Sequence, residues 1–105
     1  MKTYGPNKAT EFSKKQISVI YGAAKRGDLK IEKWVIGEFY DLAEYYGYDD
    51  NHSVERAESD ILDILDKVFA KDMTGAQELI DRYTEDNWNR MSAKYRAKAD
   101  RTLVA

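Results

Sequence analysis

Two glutamates stand where water is expected to be scarce. Glu38 falls between Trp34, Leu42 and Tyr45, and Glu58 falls between Val54, Leu62 and Leu65, so each carboxylate interrupts an apolar helical arc. A carboxyl in such surroundings resists ionisation, and two facing one dry cleft can serve as proton donor and proton acceptor in hydrolysis. The ordinary alternative is that each lies at the edge of its arc and reaches water, a lysine or a tyrosine hydroxyl. A second candidate is a loop of EF-hand length, in which Asp49, Asn51, Ser53, Glu55 and Asp60 take the ligand positions. Val54 stands where the sharp turn needs glycine and Asp60 where calcium takes a bidentate glutamate, so helix capping by Asn51 or Ser53 explains the cluster without a metal.

The remaining catalytic options close quickly. The chain has no cysteine, which excludes a thiol nucleophile, a disulfide scaffold and a Cys-based zinc site. His52 is the single histidine, so no multi-His metal centre exists, and it reads as an exposed side chain in a polar loop. Phosphate-cradling glycine loops, nucleophile motifs and dinucleotide fingerprints are missing as well. The expectation is a protein that is not an enzyme and uses no cofactor and no metal.

Contact chemistry is better represented. The chain has eight tyrosines, and Tyr40, Tyr45, Tyr46 and Tyr48 crowd the end of one segment beside Asp41, Glu44, Asp49 and Asp50. Tyrosine gives contact area at low entropic cost while its hydroxyl stays satisfied. Tyr40, which points away from the apolar arc of its own segment, joins Asp41, Glu44, Tyr48, Asp49 and Asp50 as the expected partner-binding surface. Charge layout points the same way. Residues 1–36 carry a net charge of +5, residues 37–86 carry −11 and residues 87–105 carry +4. A strongly acidic middle attracts a Lys/Arg-lined groove and repels phosphate. The basic arm with Lys2, Lys8, Lys14, Lys15, Lys25 and Arg26, and a basic last face of Arg90, Lys94, Lys98 and Arg101, offer nucleic acid as the competing partner.

These groups need helices to position them. Residues 1–10, with the only proline, read as a basic arm. Ser13 and Gln16 have capping-box spacing, with Phe12 and Ile17 as the hydrophobic staple, and the helix they open buries Ile17, Ile20, Tyr21 and Ala24 before Gly27. A second helix is predicted from about Lys30 to Tyr46, closed by Gly47, and a third from the Ser53 cap, burying Val54, Ala57, Ile61, Ile64, Leu65 and Val68. Thr74 and Gln77 form another capping box ahead of Ala76, Leu79, Ile80 and Tyr83. A fifth stripe of Trp88, Met91, Tyr95 and Ala99 is rotated from the fourth, which predicts a kink or new helix at Thr84-Glu85-Asp86. No window alternates with period two, so no sheet is expected.

The string Ala23-Ala24-Lys25-Arg26-Gly27-Asp28-Leu29-Lys30-Ile31 resembles the helix-turn-helix core of an ankyrin repeat over about a tenth of the chain. Thirty-three residues later stands Arg56-Ala57-Glu58 without that pattern, so the likeness is local hairpin chemistry and implies no family.

The sequence therefore predicts one all-α domain over 11–105, a bundle of four to five helices, cytoplasmic and without a membrane span. Its expected role is a non-enzymatic regulator or inhibitor of a protein with a basic groove that handles nucleic acid. In size and charge it resembles phage-type inhibitors such as anti-CRISPR proteins and nucleic-acid mimics, as a class. Direct nucleic-acid binding and a hydrolase built on Glu38 and Glu58 stand as alternatives, and the oligomeric state is left open.

Overall fold

The structure, a computed structural model, describes residues 14–45 and 52–104, the side chains of 44–45 and 52–58 excepted. It is an all-α bundle: α1 Lys14–Lys25, α2 Lys33–Tyr45, α3 His52–Phe69, α4 Met73–Arg90 and the short α5 Ala93–Lys98. The expected arm, the Ser13 cap with its Phe12 staple residue, and the Gly47 stop lie outside the described residues.

One apolar cluster joins the four long helices. Ile17, Ile20, Val35, Phe39, Ile61, Ile64, Leu65 and Ile80 are almost wholly withdrawn from water, as their periodicity predicts. Tyr21 is a correction. It lies at the rim, more than a third exposed, with the Lys25 ammonium 5.8 Å from its ring centre. Leu79 of the α4 stripe is only partly buried.

Turns follow local chemistry. α1 ends in a Schellman motif, with Gly27 at φ +87° donating to the Ala24 carbonyl and Asp28 donating to that of Ala23. The same motif ends α3, where Lys71 takes the left-handed conformation at φ 61° in place of glycine and donates to the Val68 carbonyl. Asp72, rather than Thr74, caps α4 by accepting from the Gly75 amide at 2.9 Å. A Cβ on residue 75 would run into that carboxylate. Gln77, expected to close a capping box, instead accepts from the Lys30 amide and donates to the Lys30 carbonyl. It thereby ties α4 to the α1–α2 connection.

Helix α2 begins at Lys33 rather than Lys30 because residues 30–32 are committed elsewhere. Beyond α5 the chain runs back along them, with Val104 donating to the Ile31 carbonyl at 2.8 Å and an isolated antiparallel bridge between Glu32 and Leu103. The Lys33 and Trp34 amides, unpartnered within their own helix, donate to the carbonyls of Thr102 and Asp100. Arg101 forks Glu32, Nε to Oε1 at 2.6 Å and Nη2 to Oε2 at 2.7 Å. It also lies 4.3 Å over the Trp88 ring, which in turn packs 5.9 Å from Trp34. The tail is thus the cap of α2.

No new helix starts at Thr84. α4 runs through Glu85 and Asp86 without interruption, because the Thr84 hydroxyl donates back to the Ile80 carbonyl instead of capping forward. The helix ends at Arg90, and Ser92 caps α5.

Candidate partner-binding surface

Helices α3 and α4 put their apolar sides into the core and leave acids outside. Asp60, Asp63 and Asp66 repeat every third residue on the exposed side of α3, and Glu78, Asp81, Glu85 and Asp86 are exposed on α4. Over residues 59–90 there are eight exposed carboxylates and four exposed cations, one of which, Lys67, is already paired with Asp72 at 3.5 Å. A groove between the helices has Asp60 and Asp63 on one wall and Arg82 and Asp86 on the other. It widens into a shallow recess of about 450 Å³ lined by Asp60, Asp86, Asn89 and Arg90.

The floor of the groove is Tyr83, 4% exposed, whose hydroxyl donates to Glu38 Oε1 at 3.0 Å. Burial pushes the Glu38 carboxyl above its ordinary range and Asp41 adds to this, while the Tyr83 hydroxyl and Arg90 act against it. Burial, then the Glu38 charge, also drives the Tyr83 phenol strongly upward. Glu38 thus meets a tyrosine hydroxyl, the ordinary alternative at the sequence level, and the side chain of Glu58 lies outside the description. Glu32 is shifted oppositely. Its hydrogen bonds from Arg101 hold the carboxyl below the usual range, against the desolvation that opposes them.

Opposite shifts give opposite pH dependences. The unfolded-state value is near 4.5 for both groups. Glu38, raised on folding, contributes stability that is present below that value and lost as pH rises through its folded pKa. Glu32, lowered, contributes stability that is present above 4.5 and lost as pH falls through its folded pKa. Glu38→Gln should therefore flatten the loss above 4.5, and Glu32→Gln the loss below it, in urea midpoints followed from about pH 3 to pH 7. Unaltered profiles in both variants would show that neither carboxyl is coupled to folding.

Of the expected contact residues, Asp41 is exposed and near enough to Glu38 to raise its pKa. Tyr40 does not point away from the bundle. It packs partly against the core, and its hydroxyl lies 3.2 Å from Ser18 Oγ, bridging α2 to α1. The side chain of Glu44 and all of Tyr48, Asp49 and Asp50 lie outside the described residues, whereas Ser53, Glu55 and Asp60 of the EF-hand-length stretch lie within α3 and not in a loop. Among the described residues no three acidic or imidazole groups come together as a metal site.

The basic residues expected on one last helix are spread over three segments. Arg90 ends α4, Lys94 and Lys98 lie on α5, and Arg101 lies beyond it on Glu32. Arg96 donates to the Trp88 and Asn89 carbonyls, closing the end of α4. Two guanidinium groups are thus spent inside the molecule. As contact residues the acids Asp60, Asp63 and Asp66 of α3 and Glu78, Asp81, Glu85 and Asp86 of α4 were not singled out from sequence, nor was the Glu32–Arg101–Trp88 cluster. The spacing of Asp60, Asp63 and Asp66 carried the first signal, whereas nothing local announces the second. No helix among the described residues is long and apolar enough to cross a membrane. Compared with protein families, curated proteins and solved structures, the chain matches none of them.

Proposed function

We propose that this protein is a non-enzymatic helical regulator that binds another protein inside the cell, its acidic α3–α4 surface engaging a basic groove of a partner that handles nucleic acid. The observation that carries the reading is the excess of exposed carboxylates over exposed cations along residues 59–90, gathered on two helices with a groove between them. A surface on which carboxylates outnumber cations steers a Lys/Arg-lined partner toward it and repels a phosphate backbone. Leu79, half-buried in the same groove, supplies apolar contact where the charges converge. The internal use of Arg96 and Arg101 weakens the competing reading, in which basic residues near the end of the chain follow a phosphate backbone.

Fluorescence anisotropy with two probes tests this at ~150 mM salt, where surface fields are already screened beyond about 8 Å. One probe is a labelled Lys/Arg-rich helical peptide, the other a labelled DNA duplex. The peptide should bind, more weakly as salt rises, and the combined Asp60→Lys, Asp63→Lys and Asp86→Lys variant should lose roughly tenfold or more in affinity. Binding of the duplex instead, abolished by Arg90→Glu with Lys94→Glu, would overturn the proposal.

A further inference from the structure

The chain breaks between α4 and α5 where its sequence has no breaker. Trp88, Met91, Tyr95 and Ala99 repeat at the spacing of one uninterrupted helix, and residues 91–98 contain neither glycine nor proline and are rich in alanine, lysine and arginine. Nevertheless Met91 (φ −71°, ψ 146°) and Ser92 (φ −70°, ψ 161°) are extended. Helix α5 buries no residue, so the arm 91–104 is held by Arg96, within α5, on the Trp88 and Asn89 carbonyls and by the tail seated on α2.

We propose that this seat also receives the tail of a second copy of the chain, giving a dimer in which residues 91–104 are exchanged. In that form Met91 and Ser92 become helical and α4 and α5 fuse. The Trp88 and Asn89 carbonyls then accept the amides of Ser92 and Ala93 in place of the Arg96 guanidinium. Residues 91–98 as helix carry the tail about 12 Å past the present end of α4, away from its own seat. Each tail then pairs with Ile31–Lys33 of the other copy, Arg101 again forking a Glu32 and stacking on a Trp88. The contacts of the tail with α2, Glu32 and Trp88 are conserved, and those of Arg96 are exchanged for helix hydrogen bonds, so concentration decides between the two forms.

Two experiments in sedimentation velocity decide the matter. Ala93 is the first residue of α5, and Ser92 before it has the extended ψ that a following proline requires. Ala93→Pro therefore fits the broken form, whereas in a fused helix its ring would strike the Asn89 carbonyl. At ~1 mM the native chain should show a dimer that dissociates on dilution, and Ala93→Pro should remain monomeric with the same circular dichroism. Second, Glu32→Arg and Arg101→Glu should each be monomeric alone, because each sets like charges against one another in the seat. Mixed, they restore both ion pairs only between chains and should form a one-to-one dimer. A native chain that stays monomeric at ~1 mM, a dimer that persists in Ala93→Pro, or a mixture that stays monomeric would overturn the proposal.

Discussion

Phe39→Ala should destabilise the protein by about 3–5 kcal/mol, the largest loss expected from any single substitution considered for this chain. Phe39 has no exposed surface and stands edge-to-face with Tyr83, ring centres 5.0 Å apart and planes at 73°. Truncation forfeits the burial of the ring, the aromatic pair and the support that holds Tyr83 under the groove. The surrounding positions are filled by Ile, Leu and Val side chains of the same apolar cluster, which cannot close a cavity of that size without leaving their rotamers. Against a typical stability of ~5–15 kcal/mol, the variant would unfold at much lower urea. A loss below ~1 kcal/mol would mean that α2 does not anchor the core.

Trp88→Ala follows, at about 2–3 kcal/mol, below the range for a fully buried tryptophan because the ring is only partly covered. What distinguishes it from Phe39→Ala is where the loss appears. Trp88 is the surface on which Arg101 and Trp34 both lie, so its removal loosens the tail while α3 and most of α4 keep their packing. In hydrogen exchange the Val104, Lys33 and Trp34 amides, all bonded across the tail and α2, should lose protection, with the Ile64 and Leu65 amides unchanged. Uniform loss of protection would show instead that the tail and core unfold as one unit.

What the sequence made legible was whatever repeats within a few residues. The stripes through Ile17 and Ile20, through Val35 and Phe39, and through Ile61, Ile64 and Leu65 place the core as the structure has it, because burial of a helix face is written at its own period. Choices between competing local partners were less legible. Thr74 and Asp72 are both good caps, and the one whose oxygen meets the Gly75 amide wins. Thr84 has the composition of a helix start, but its hydroxyl satisfies the preceding turn. Contacts of great sequence separation left no local mark, so Gln77 on Lys30 and Arg101 on Glu32 could not be foreseen. Of the candidate surface, acidity was visible, but among the described residues it gathers along the α3–α4 groove, away from the stretch 41–50 that the sequence pointed to. The position of Tyr40 depended on α1, which no pattern within α2 records.

The clip between Glu32 and Arg101 has a kinetic meaning as well. Helices α1 and α2, and then α3 and α4, meet across short connections, whereas the tail must find a partner 69 residues back along the chain. Entropy of loop closure places such a contact late in the folding reaction, after the bundle has formed. Interactions made after the rate-limiting step slow escape from the native state without hastening arrival at it. The tail therefore acts as a lock on the lifetime of the folded molecule, and weakening it leaves a protein that assembles as fast as before and comes apart sooner.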